Sequence, residues 1–211
     1  MDVTLYGADS GRAARAKWTL DEAGVEYTSV DRSDLAGPGD PKPQGLADLV
    51  ELQRKYHPLG KAPVIVIDGE TLFESAAICT HIADRVPEAD LIAKPGTFAR
   101  AEHDQWVSFS LTEMDSWLWN STVNSFVLPE EKRITAGFGQ NVEMFKRSAL
   151  VLEAHLAGHD YLVEDRFTVT DIVAGWSVNW GWRQGHLDAC PALGRYLDRL
   201  WARPRCALVR D

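Results

Sequence analysis

Residues 57–87 read HPLGKAPVIVIDGETLFESAAICTHIADRVP, and this stretch decides the fold. The β-branched run from Val64 to Ile67 predicts a buried strand, Asp68-Gly69 predicts a tight turn, and Thr71 to Phe73 a short returning strand. Ser75 then opens a helical pattern that runs to about residue 86. Pro63 lies at the entry of the first of these strands, where a missing N–H removes a ladder bond; an Ala62-Pro63 bond in cis at a sheet edge accommodates it.

Upstream, Val3 to Tyr6 reads as a strand, 12–23 as a helix ended by Gly24, and 25–30 as an alternating second strand. Residues 33–45, SDLAGPGDPKPQG, carry too much Gly, Pro and Asp for regular structure and read as a surface loop; 46–56 reads as a helix. The order β-α-β-α-β-β-α is that of a thioredoxin-like α/β domain. Downstream of the Pro/Gly-bearing segment PEADLIAKPG, only helical spacing remains, over 97–125, 130–158, 168–183 and 191–203. The expected organisation is therefore an α/β domain over 1–87, a linker over 88–95 and an all-α helical-bundle domain over 96–211.

With 211 residues and 45% hydrophobic content, the chain can bury a full core. Its net charge of -9 argues against nucleic acid and anionic membranes as partners, because both attract Lys and Arg clusters. It leaves room for a small anionic ligand in a locally positive pocket. Three cysteines, widely spaced and without a Cys/His ligand pattern, predict neither a disulfide framework nor a metal site, and point to a reducing, cytoplasmic setting. No stretch approaches the roughly 18 apolar residues of a membrane span, and no signal segment is expected.

The 57–87 segment resembles the glutathione-binding half of the glutathione transferase (GST) superfamily, whose pattern is NPxGxVPxL, a hairpin, then ESxAIxxYL. The spacing from Pro63 to the Glu74-Ser75 pair is that of the Ser-type, theta- and zeta-like bacterial groups. The resemblance implies a thioredoxin-like domain holding glutathione as co-substrate, a helical second domain, and a homodimer. It implies that the backbone of Ala62, beside cis-Pro63, pairs with the cysteinyl unit. Glu74 and Ser75 then receive the γ-glutamyl end, and Lys61 reaches the glycine end. His57 stands where the family usually has Asn, and is read as structural.

The chemistry such a site must perform is thiol ionisation: at a pKa of about 8.5 only about 3% of a free thiol is thiolate at pH 7. A donated hydroxyl and the positive end of the first helix both favour the charged form. Two hydroxyls qualify. Ser10 falls where the Ser-type classes carry their catalytic serine, and Tyr6 where the alpha, mu and pi classes carry their tyrosine; Ser10 is preferred, with Tyr6 as the alternative. Ser10 can equally be a helix N-cap. Arg12 and Arg15 are further candidates for facing ligand carboxylates, although helical arginines are usually solvated. No cysteine lies near position 10, which disfavours mixed-disulfide chemistry.

In the helical half, Thr168 and Asp171 have capping-box spacing. Trp106, Ser110, Met114 and Trp117 recur at helical spacing and are candidates to line a hydrophobic acceptor site between the domains; such a stripe is more often core. In relatives an acidic residue near Asp104 meets the partner subunit's glutamyl ammonium. The resemblance thus implies conjugation of glutathione to a hydrophobic small-molecule electrophile, as in detoxification. Two alternatives stand beside it. One is a zeta-like isomerase, disfavoured because ADSG replaces the SSCS motif; the other is a binding or regulatory protein on the same scaffold without turnover.

Overall fold

The computed structural model describes residues 1–36 and 40–210. The chain divides into two compact units, Met1–Leu91 and Ile92–Asp211. The first is built on a four-stranded sheet of β1 (Val3–Tyr6), β2 (Thr28–Val30), β3 (Val64–Ile67) and β4 (Glu70–Phe73), in the order β2-β1-β3-β4. β1 pairs parallel with β2, and antiparallel with β3 through Val3↔Ile67 and Tyr6↔Val64; β3 and β4 form the hairpin. This is the thioredoxin-like arrangement that the element order predicts.

The period-two pattern explains which face is covered. Val3 and Leu5 of β1 and Ile65 and Ile67 of β3 point into one cluster with Ala16 and Leu20 of α1 (Ala13–Glu22) and Ile78 and Ile82 of α3 (Ser75–Arg85). Each leucine or isoleucine so buried contributes about 1.5–3 kcal/mol, and together they clamp both helices to the sheet. α2 (Leu46–Gln53) connects β2 to β3.

Three differences from the sequence reading have local causes. β2 begins at Thr28 rather than at 25, because the Val25 N–H donates to Leu20 O in the turn that Gly24 (φ +66°) closes after α1. α2 stops at Gln53, whose carbonyl takes the N–H groups of both Tyr56 and His57 in a tightening turn. Within the expected 33–45 loop, Arg32–Leu35 forms a 3-10 turn, fixed by Asp9: its Oδ1 accepts the Arg32 N–H and its Oδ2 lies 2.7 Å from Arg32 Nη2. Residues 37–39 of that loop lie outside the described residues.

The second unit is helical. α4 (Phe98–Phe109) runs through a π-helical segment, Ser110–Asp115, into α5 (Ser116–Thr122) and a second π segment, Val123–Val127. α6 (Phe138–Leu156), α7 (Val169–Arg183) and α8 (Pro191–Trp201) complete it. α6 starts eight residues later than the expected 130, because the preceding residues are held otherwise: Arg133 Nε donates to Leu128 O and the Ile134 N–H to Asn124 Oδ1. α7 is apolar nearly all round and buried, the pattern of a central helix. It carries the predicted capping box: Thr168 Oγ1 accepts the Thr170 N–H while Asp171 Oδ2 accepts the Thr168 N–H at 2.9 Å. Tyr196 of α8 donates to Asp171 Oδ1 at 3.0 Å, locking the cap to the bundle.

Candidate functional site

The predicted glutathione residues converge at one end of the β3–β4 hairpin, where Val64 pairs with Phe73, rather than at a sheet edge, since β3 lies between β1 and β4. The Ala62-Pro63 bond is cis. Pro63 is buried at the entry of β3, and Ala62 lies just outside the strand, so no ladder bond engages its N–H or C=O. Lys61 is exposed beside them.

β4 leads into α3 through Glu74, whose φ of 72° and ψ of 110° lie where a non-glycine residue costs about 1–3 kcal/mol. That turn leaves the Glu74 carboxylate exposed and puts Ser75 at the first position of α3, buried, where the free N–H groups of the first turn gather. Beneath it lies Arg15. The sequence reading expects a solvated helical arginine; in the fold Arg15 is 0% exposed, and its Nη1 donates to Ser75 Oγ at 3.4 Å. Arg15 thus sets a buried guanidinium under the N-terminus of α3. Arg12, by contrast, is only half-buried.

Ser10 lies in the turn before α1. It does not cap that helix: its N–H donates to Gly7 O, its carbonyl accepts from Ala13, and its hydroxyl, buried, has no protein partner. Tyr6 is differently placed. Its ring stacks on Tyr56 at 4.0 Å between centroids, and burial followed by the Tyr56 phenol raises its pKa above the usual phenol value. The Tyr6 phenol is thus engaged by Tyr56, whereas the Ser10 hydroxyl has no protein partner.

Gln53 was not anticipated. Its carboxamide is fully buried and without a partner, and with Ser10 Oγ it makes up the first unit's unsatisfied buried side-chain atoms among the described residues. It packs on Gly7 (φ +71°): a methyl group there would collide with Ala62 Cβ and lie 3.3 Å from Gln53 Oε1. No periodicity reveals such a residue, because Gly7, Gln53 and Ala62 meet there from separate segments.

His57 bonds twice to its own turn: its carbonyl accepts the Gly60 N–H at 2.9 Å and its Nδ1 the Leu59 N–H at 3.0 Å. Its ring lies 4.7 Å from that of Phe73. Burial lowers the imidazole's pKa, the Glu74 carboxylate opposes that shift and Lys61 reinforces it.

Cys79 is buried on α3, and burial pushes its thiol up to about 11, so it supplies no thiolate. Among the described residues no group of three or more His, Cys, Asp or Glu side chains gathers as metal ligands do. No described helix is long and apolar enough to cross a membrane.

The proposed acceptor stripe needs correction. Ser110 and Met114 are 0% exposed and Trp106 is 7% exposed; the Ser110 hydroxyl donates to Trp106 O. These three pack as core. The π-helical turn at Ser110–Asp115 also shifts the phase of the helix, so Trp117 does not continue their stripe; it is half-buried, with Nε1 unsatisfied. Asp104 is exposed on α4, 4.0 Å from Arg100 Nε.

The family model described as "Glutathione S-transferase, N-terminal domain" matches residues 1–84. Glutathione S-transferase 4 of Zea mays is 31% identical over 173 residues, covering 81% of this chain and 73% of the relative. The chain belongs to the glutathione S-transferase family. The solved structure of a sphingomonad glutathione S-transferase complexed with glutathione superposes with a TM-score of 0.77 at 26% identity, over 99% of this chain and 97% of that one. Elongation factor 1-gamma 3 of Oryza sativa subsp. japonica is 32% identical over 133 residues, 60% of this chain but 30% of that protein. This glutathione S-transferase family member thus shares its scaffold both with transferases and with part of a translation factor.

Proposed function

We propose that the chain is an enzyme that binds glutathione and conjugates it to a hydrophobic electrophile, the glutathione thiolate forming the new sulfur–carbon bond and the electrophile's leaving group, where it has one, departing. Glutathione lies extended, its cysteinyl backbone against Ala62, its γ-glutamyl carboxylate at Ser75 and the first turn of α3, its ammonium at Glu74 and its glycine end toward Lys61. The Ser10 hydroxyl donates to the sulfur, and the positive end of α1 adds to the stabilisation. A pKa lowered by one to two units brings the thiolate fraction at pH 7 from about 3% to the order of half, and the nucleophile is then ready. The observation that carries this reading is the buried, partnerless hydroxyl of Ser10 in the turn before α1.

Calorimetric titration with reduced glutathione tests it. A dissociation constant in the micromolar to low millimolar range is expected. No heat at concentrations about ten times higher would remove the enzyme reading and leave a glutathione-independent scaffold.

The similarity to elongation factor 1-gamma favours a second reading, a binding protein that keeps the scaffold without turnover. The two part at conjugation: the first predicts product from a hydrophobic electrophile, the second glutathione binding at most. Cys79 and Cys190 are buried free thiols, and the proposal places the chain in a reducing, cytoplasmic setting. A homodimer is implied by the family and is read directly by the solution mass.

A further inference from the structure

His57 stands between the two halves of the proposed tripeptide site. From its backbone, the turn 57–60 leads to Lys61, Ala62 and cis-Pro63; Gly60 N–H closes that turn on His57 O, and Leu59 N–H on His57 Nδ1. Across its ring lies Phe73, the residue that delivers Glu74 and Ser75. Its own N–H is anchored to Gln53 O at 2.9 Å. One side chain therefore ties the strand that meets the cysteinyl unit to the corner that meets the γ-glutamyl unit.

The bond from Leu59 fixes the chemistry of the ring. A nitrogen that accepts a backbone N–H carries no proton, so the imidazole is neutral with its proton on Nε2. A second proton has only Nδ1 to go to, where it would face the Leu59 N–H and break the turn. It would also set a cation against Glu74, in competition with the ammonium of the ligand. The charged groups acting on the ring are Glu74, which favours that cation, and Lys61, which opposes it.

We propose that His57 is a positioning residue for glutathione, holding both halves of the site only as the neutral Nε2–H tautomer, so that its protonation releases the tripeptide. The inference rests on the glutathione reading above and deepens it. Burial of the ring places the transition below the ordinary histidine range, so the site is intact at neutral pH.

S-hexylglutathione is a suitable probe, because its blocked sulfur removes thiol ionisation from the measurement. Its affinity for the wild-type chain is expected to fall about fivefold or more between about pH 7.5 and about pH 5, while His57→Asn, which keeps a neutral acceptor, loses less than about twofold. Parallel pH profiles for the two proteins overturn the proposal and leave the glutathione reading standing; absence of binding at neutral pH overturns both. A measurement on the unmutated chain gives the converse. By reciprocity, the pKa of His57 read by NMR must drop when S-hexylglutathione is bound, and an unchanged value overturns the proposal.

Discussion

Arg15 Nη1 donates to Ser75 Oγ at 3.4 Å, joining a fully buried residue of α1 to the first residue of α3 across sixty positions of sequence. The contact ties the two helices that clamp the sheet, and it sets a guanidinium behind the proposed γ-glutamyl site. Arg15→Ala removes a buried donor and its stem together, and is expected to lower stability by about 3–5 kcal/mol in urea denaturation. Arg15→Met refills the volume and recovers part of that loss. Its KM for glutathione should still rise about tenfold with kcat little changed, because Ser75 loses its donor.

The thiolate assignment separates two hydroxyls. Ser10→Ala is expected to reduce kcat/KM for glutathione conjugation by about 10²–10³-fold, the usual cost of one donor aimed at developing charge. Tyr6→Phe, which keeps the ring stacked on Tyr56 and loses only the hydroxyl, should stay within about threefold. The reverse order would move the catalytic role to Tyr6.

Asp171 makes the capping box sensitive to pH. Its carboxyl accepts from Leu162, Thr168 and Tyr196, yet burial outweighs them and pushes its pKa up to about 6. An unfolded aspartate titrates near 3.9, so between about pH 4 and pH 6 the folded chain holds a proton that the unfolded chain has released. This contribution to stability is complete below about pH 4 and is lost as pH rises through about 6, a change of about 3 kcal/mol at most. His57, His155 and His186, whose pKa values desolvation lowers, act in the opposite sense in part of that window. The measurement is therefore the difference in unfolding free energy between wild type and Asp171→Asn, which should shrink as pH rises from 4 to about 7. A difference independent of pH would contradict it.

Two glycines with similar φ test the packing at the site edge. Gly24→Ala meets no atom within 4 Å, so only the backbone penalty applies, about 1–2 kcal/mol. Gly7→Ala adds a collision with Ala62 Cβ on top of the same penalty. It should cost at least twice as much and weaken glutathione binding, read by denaturation and calorimetry on both variants.

Much of the first unit was legible because its signals are local. The β-branched run 64–67, Asp68-Gly69 and the interval from Pro63 to Glu74-Ser75 each act within about a dozen residues, and the strands, the cis bond and the helix start follow them. The Thr168 and Asp171 cap was legible for the same reason.

What the sequence by itself determined is thus the order of elements, the thioredoxin-like sheet and the identity of the residues at one end of its β3–β4 hairpin, since periodicity, turns and caps are properties of neighbouring residues. Only the tertiary structure decided which polar groups lose water. It buried Arg15 against Ser75, stacked Tyr6 on Tyr56 while leaving Ser10 Oγ without a partner, and closed Gln53 in beside Gly7. It also packed Trp106, Ser110 and Met114 as core, where their spacing alone left a pocket wall open. The reason is physical. Desolvation and ring stacking depend on atoms brought together from distant segments, and a spacing rule carries no information about them.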